Sequence, residues 1–91
     1  MKYLLTLYVY GETGKSIRAI KNLEKITEEL PENQYNIQVV DIRKEPKLAF
    51  DDCIVAVPAL IKKLPAPIRK VIGDLSDTEK VILGLGLKSG R

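Results

Sequence analysis

The stretch YLLTLYVYGETGKSIRAIKNLEKITEEL, residues 3–30, decides how the fold begins, because its hydrophobic pattern changes at a glycine. Residues 3–10 are almost continuously apolar, which predicts a strand buried on both faces. A loop, Gly11–Gly14, follows and offers Thr13 as a helix N-cap. Beyond it, apolar residues at three- and four-residue spacing predict an amphipathic helix that ends before Pro31. The predicted buried face of this helix consists of Ile17, Ile20, Leu23, Ile26 and Leu30.

A second strand is predicted at residues 35–42 (YNIQVVDI), after a polar loop. Strand, helix and strand of these lengths form a βαβ unit, in which the strands are parallel and the crossover is right-handed. The first half of the chain therefore predicts an α/β fold.

The middle of the chain is harder to interpret. Residues 46–52 predict one or two turns of helix that open on a proline. Residues 54–61 predict a strand, but Pro58 interrupts it, and central strands reject proline. Residues 68–72 fit either a short strand or one face of a helix.

The last segment leaves two structures open. Residues 76–79 (SDTE) have the pattern of a capping box with Ser76 as the N-cap, which predicts a helix start. The apolar residues in 81–87 alternate with period two, however, and each interior glycine, Gly84 and Gly86, costs a helix about 1 kcal/mol relative to alanine. Periodicity alone does not choose between helix and strand here.

The composition favours binding over catalysis. The 91 residues are expected to form one small domain, 1–91, with 45% hydrophobic and 30% charged residues. The chain has no histidine and one cysteine, which excludes Ser-His-Asp and Cys-His catalysis, His-ligated zinc, Cys₄ sites and internal disulfides. We therefore expect no catalytic residues, no cofactor and no metal.

The net charge and the N-terminal sequence indicate neither a nucleic-acid partner nor a membrane location. The net charge of +3, from 15 basic and 12 acidic residues, is too small to indicate a nucleic-acid partner, and an RNA-binding module is a weaker alternative. The N-terminus lacks the pattern of a signal peptide, and the apolar runs are far shorter than the ~20 residues of a membrane span. An unpaired cysteine fits a reducing compartment, so we expect a cytoplasmic protein without membrane contact.

Two motifs imitate known sites incompletely. Gly11–Ser16 (GETGKS) lies between a strand and a helix, as a phosphate-binding P-loop does, but Val9 stands where the first glycine is required. A glycine turn into a capped helix is the favoured interpretation. The βαβ start followed by Val57–Pro58 is typical of thioredoxin-like folds, yet the redox Cys-x-x-Cys is missing from the first helix. Cys53, beside two aspartates, is interpreted as a semi-buried residue with no chemistry.

Several stretches resemble the KaiB family in register. The most specific are residues 41–49 (DIRKEPKLA), 56–60 (AVPAL) and 64–76 (LPAPIRKVIGDLS). The match continues through residues 79–81 and 84–85, and the opening matches at residues 7–9, Gly11, Ser16, Arg18 and Ala19. The resemblance covers nearly the whole chain.

The resemblance implies a non-enzymatic clock protein that binds the N-terminal ATPase ring of a hexameric KaiC-type kinase and modulates its phosphorylation. KaiA or a histidine kinase would be further partners in organisms that have them. A KaiB-like stress-adaptation protein without an oscillator and a small thioredoxin-like redox or chaperone protein are the alternatives. The resemblance also implies a metamorphic fold, with a thioredoxin-like βαβαββα monomer that binds the partner and a βαββααβ state that forms dimers and tetramers.

The resemblance assigns two sets of residues. Partner contacts are expected in the basic cluster at residues 62–70 and at two further cations: Arg18, Lys44, Lys62, Arg69 and Lys70. Fold switching, with proline isomerisation as its slow step, is expected at Pro58, Pro65, Pro67, Gly84 and Gly86. The chain departs from the family at Gly14, Ala66, Gly86 and Ser89, and the capping box together with the last two departures favours the thioredoxin-like state.

Overall fold

A computed structural model describes residues 2–30 and 34–87 of the chain. Its elements, in chain order, are β1 (Tyr3–Val9), α1 (Gly14–Glu28), β2 (Tyr35–Asp41), α2 (Pro46–Asp51), β3 (Ala59–Leu64), β4 (Arg69–Ile72) and α3 (Thr78–Leu85). This βαβαββα order is the one predicted for the thioredoxin-like state. The expectations placed on Pro31 and Ser89 fall outside the described residues.

One four-stranded sheet, ordered β2-β1-β3-β4, carries the helices on its two faces. Strand β1 is central, parallel to β2 and antiparallel to β3, and all but one of its residues are buried. The prediction that residues 3–9 form a strand buried on both faces is confirmed, since side chains on both faces of β1 are covered. Strand β4 pairs antiparallel with β3 and forms one edge of the sheet.

Helix α1 begins and ends close to the predicted residues, but its buried face is rotated. Thr13 is the N-cap, as expected, and its side chain accepts a hydrogen bond from the Ser16 amide. The prediction that Ile17 is buried is wrong, because 42% of that residue is exposed. The buried face of the helix includes two small residues, Ser16 and Ala19, in addition to Leu23 and Ile26. An apolar pattern alone overlooks such small residues.

The structure resolves the ambiguities of the second half. The predicted strand at residues 54–61 is wrong in its first part, because β3 begins only at Ala59, directly after Pro58, so the proline stays outside the ladder. Residues 69–72 form a strand. The N-cap of α3 is Asp77, which accepts from the Lys80 amide at 3.1 Å, and the expectation that Ser76 caps the helix is wrong.

Helix α3 continues through Gly84 and ends at Leu85, with Gly86 as its C-cap. That glycine has a φ of 67° and closes the helix in the left-handed conformation, which a residue without a Cβ adopts at little cost. The period-two alternation of residues 81–87 is therefore not a strand.

The two faces of the sheet are covered unequally. The main core lies under α1 and α3 and is built on Leu5, Leu7 and Leu60 together with residues of both helices. The opposite face holds a smaller cluster of four buried residues under α2: Tyr8, Val40, Ala49 and Ile61. Within residues 2–30 and 34–87, no helix has the length and hydrophobicity that a membrane crossing requires.

Candidate protein-interaction surface

The turn from β1 into α1 is held by its own hydrogen bonds. Thr13 Oγ1 donates to Ser16 Oγ at 2.8 Å and accepts from the Ser16 amide at 3.3 Å. Ser16 Oγ also accepts from the Tyr10 amide at 3.1 Å, and Ser16 is buried. Because the serine hydroxyl is engaged within the turn, these contacts favour the interpretation of residues 11–16 as a capped helix start.

Arg43 closes over the same turn. Its guanidinium donates to the Asp41 carboxylate from Nη2 at 2.9 Å and from Nε at 3.2 Å, and it lies 5.6 Å from the centre of the Tyr10 ring. The hydrogen bonds from Arg43 hold the pKa of Asp41 well below its ordinary range. Gly11, with a φ of 52°, leaves room for the guanidinium, since a Cβ there would lie 2.4 Å from Arg43 Cζ. Sequence reasoning missed this cluster, although an aspartate and an arginine two residues apart at a strand end were a usable signal.

A second polar cluster, which the sequence did not reveal, anchors the end of α2. The hydroxyl of Tyr8, a fully buried residue, donates to Asp52 Oδ2, and its oxygen lies 3.1 Å from the Leu48 carbonyl oxygen. Lys63 Nζ lies 2.7 Å from the same Asp52 oxygen. Burial, with the hydrogen bond to Asp52, raises the pKa of Tyr8 far above its usual range. Burial alone would raise the pKa of Asp52, but the hydrogen bonds from Lys63 and Tyr8 outweigh it and lower that pKa.

The single cysteine lies in the turn after α2, not beside the first helix. Cys53 is exposed, so the expectation of a semi-buried residue is wrong. Its backbone has a φ of 56°, and its carbonyl accepts a hydrogen bond from Lys70 Nζ at 3.3 Å. The described residues contain no group of three or more acidic or cysteine side chains arranged to hold a metal ion.

The structure separates the five basic residues that the resemblance assigned to partner contacts. Arg69 and Lys70 are neighbours on the edge strand β4 and both are exposed. Arg18 is also exposed and its Nε lies 3.4 Å from Asp74 Oδ2, beyond the far end of β4. Lys44 follows β2, the opposite edge of the sheet.

Lys62 differs from the other four. It pairs with Arg69 across β3 and β4, but only 3% of the residue is exposed. Its Nζ lies 4.0 Å from the position that a Cβ would take at Gly86, the C-cap of α3. A cation beside a helix C-terminus is favoured by the helix dipole. Lys62 therefore does not belong to the exposed basic surface, contrary to the grouping of residues 62–70.

The residues assigned to fold switching lie at the ends of β3, β4 and α3. The peptide bonds before Pro58, Pro65 and Pro67 are cis. Gly84 packs against β4, where a Cβ would lie 3.2 Å from Val71 Cγ2, and Gly86 is the C-cap described above.

The fold defines the chain as a thioredoxin-like α/β protein. Mitochondrial thioredoxin 3 of Saccharomyces cerevisiae superposes with a TM-score of 0.75 at 15% identity, over 93% of this chain and 77% of that one. The N-terminal domain of SasA from Synechococcus elongatus gives the same TM-score at 23% identity, over 100% of this chain and 90% of that one.

Sequence comparison is more specific than the fold. Residues 6–87 match the KaiB domain family. The "Circadian clock oscillator protein KaiB" of Microcystis aeruginosa is 53% identical over 93% of this chain and 82% of its own length. The protein of that name from Trichodesmium erythraeum is 52% identical over the same shares. The chain belongs to the KaiB family, as its sequence motifs indicated.

Proposed function

We propose that this chain is a non-enzymatic regulator of a biological clock, which binds the N-terminal ATPase ring of a KaiC-type hexamer in the cytoplasm and modulates its phosphorylation. The match to the KaiB domain over residues 6–87 carries this proposal, together with relatives that are named as clock oscillator proteins and bear no enzyme name. The conformation supports it as well, because the thioredoxin-like state is the one that the family resemblance assigns to partner binding.

The proposed contact surface centres on Arg69 and Lys70. Both side chains are exposed on an edge strand, where a partner can approach without rearrangement of the sheet. Exposed cations steer an acidic partner surface and set the rate of association. Arg18 and Lys44 extend the basic surface toward other parts of the molecule, whereas the buried Lys62 is not part of it.

The test is co-elution with a KaiC-type hexamer in size-exclusion chromatography over several hours. Wild type is expected to move into the ring fraction, and the double charge reversal R69E/K70E is expected to reduce its affinity at least tenfold. The matched control is K21E/K25E, which reverses two exposed charges on α1. Far-UV circular dichroism must show the same fold in all three proteins.

Each outcome of this experiment has a clear meaning. Equal binding by R69E/K70E and the control variant would refute the proposed surface. Failure of the wild type to bind the ring, with its fold intact, would refute the proposed function.

The similarity to thioredoxins favours one other function, a small redox or chaperone protein. Dithiol exchange needs two cysteines at the first helix, and this chain has only Cys53, on the loop after α2. Catalysed reduction of a disulfide substrate by the purified chain would support this alternative against the proposed function. If the chain binds a KaiC-type ring but its source organism shows no circadian rhythm, the protein would instead be a KaiB-like stress-adaptation protein without an oscillator.

The second conformation and the dimers and tetramers that accompany it stay a prediction. The same chromatographic run without the ring measures oligomer size directly. A monomer fits the thioredoxin-like state, and a dimer or tetramer fits the βαββααβ state.

A further inference from the structure

Strand β4 presents an open backbone edge. The Gly73 amide donates to the Pro58 carbonyl at 2.9 Å, one position beyond the last ladder pair, Ala59–Ile72, so this position continues the antiparallel pattern as a hydrogen-bonded pair. Such pairs alternate along a ladder, so the backbone groups of Val71 and Arg69 also point toward β3. The N–H and C=O groups of Lys70 and Ile72 therefore point away from the sheet, where no strand of the described residues pairs with them.

The charges along this edge select against a second copy. Antiparallel pairing of two β4 strands through Lys70 and Ile72 would gather Arg69 and Lys70 of both copies in one short two-stranded ribbon, and like charges at such close quarters are destabilising. Neither cation has a carboxylate partner within the described part of the chain, since Lys70 Nζ binds a backbone carbonyl and the aspartates at the far end of β4 are engaged elsewhere. An acidic strand would therefore meet two cations that are not held in an ion pair.

A cavity of about 250 Å³ lies beside the edge, between the end of β4 and the start of α3. Its apolar wall consists of Val71, Ile72, Leu75 and Val81. Ile72 and Ile68 are 58% and 62% exposed, so the edge itself also carries apolar surface. An open strand edge beside a side-chain pocket is the arrangement that proteins use to bind extended peptides, with affinity from the backbone and specificity from the pocket.

We propose that the edge of β4 binds an extended acidic segment of a partner protein as a fifth strand, with an apolar side chain of that segment in the cavity beside α3. This deepens the proposed function, on which it rests, because it states how Arg69 and Lys70 meet a partner. Lys70 and Ile72 supply the backbone hydrogen bonds. Lys70 faces the alternating carboxylates of the added strand on one side of the sheet, and Arg69 lies on the other side together with Val71, which lines the cavity.

A synthetic heptapeptide of alternating glutamate and valine, blocked at both ends, is a direct probe. Binding is followed by amide hydrogen exchange of the intact protein in NMR spectra. The exchange of the Lys70 and Ile72 amides is expected to slow at least tenfold, whereas Val71, whose amide already lies in the ladder, serves as the internal reference. Methylation of alternate backbone nitrogens of the peptide is expected to weaken binding at least tenfold, because it removes donors without changing charge.

A peptide of alternating lysine and valine is the control for charge and should not bind. Equal binding of the methylated and unmethylated acidic peptides would overturn the proposal, since it would show attraction by charge alone. Slowed exchange on β2 in place of β4 would also overturn it. Ring binding without peptide binding would refute the β4-edge inference and leave the proposed function standing. Peptide binding without ring binding would refute the proposed function and leave the peptide-binding edge standing.

Discussion

Replacement of Asp52 by asparagine tests whether the cluster of Tyr8, Asp52 and Lys63 stabilises the fold. The carboxylate accepts from the Tyr8 hydroxyl and lies 2.7 Å from Lys63 Nζ. Hydrogen bonds to charged groups contribute about 1.5–3 kcal/mol each, against about 1 kcal/mol for neutral ones. The asparagine amide oxygen still accepts from Tyr8, and the Asp52 and Lys63 side chains are 18% and 29% exposed, so water replaces part of what is lost.

The expected loss is therefore about 1–2 kcal/mol in the free energy of unfolding, since one charge-assisted bond becomes neutral and the ion pair is removed. In a domain of this size it corresponds to a fall in Tm of about 4–16 °C. Urea denaturation at pH 7, followed by circular dichroism, measures the difference. The matched control is Asp51→Asn, which removes the same charge from the adjacent, exposed residue.

The pH dependence gives a second measurement with a fixed sign. The pKa of Asp52 is lowered in the folded protein, so its contribution is complete above the unfolded value of about 3.9 and disappears as the pH falls through the folded value. The gap between wild type and Asp52→Asn should therefore narrow as the pH falls below about 3.9 and close in strong acid. Equal losses in Asp52→Asn and Asp51→Asn at pH 7, or a gap that persists in acid, would refute the reasoning.

Three further substitutions have expected outcomes. Tyr8→Phe should lower the free energy of unfolding by about 1–3 kcal/mol at pH 7. Because the pKa of Tyr8 is raised in the folded protein, wild type should lose stability above pH ~10, and the stabilities of the two proteins should converge in alkaline unfolding experiments. Gly86→Ala should cost about 1 kcal/mol in urea denaturation, because φ is 67° there, and Gly86→Asn should cost less; equal stability of both variants and wild type would contradict the left-handed cap. Gly11→Ala should displace the Arg43 guanidinium from Asp41 and add about 1–2 kcal/mol of backbone strain. A second substitution, Arg43→Ala, should remove the clash between the new Cβ and the guanidinium but not the backbone strain. Full recovery of the urea midpoint in the double variant would show that the backbone at residue 11 is unstrained.

The sequence predicted the elements whose signals are local. The apolar run of β1, the Thr13 cap of α1 and the βαβ order all follow from residues near one another in the chain. The C-terminal helix was ambiguous because the alternation of apolar residues in 81–87 competes with the cap. The left-handed Gly86 settles that competition only once the backbone is known.

The parts of the surface that sequence missed depend on distant pairs. Asp52 and Tyr8 are 44 positions apart, and their contact requires that α2 be folded onto the sheet. The burial of Lys62 has the same origin, since it depends on where α3 ends. Arg69 and Lys70 could be assigned from motif and charge, but their position at an open edge follows only from the strand order.

The unequal covering of the sheet has a consequence for how the molecule opens. Helix α2 has six residues and buries only Ala49, while Phe50 and Val55 nearby are 82% and 90% exposed. Detachment of this segment exposes little of its own buried apolar area to water, so local opening at α2 should need less free energy than global unfolding. On warming, α2 should detach from the sheet first and expose Tyr8 to solvent, while the core under α1 and α3 stays folded. The earliest species that can aggregate would then be a nearly native molecule with one uncovered face.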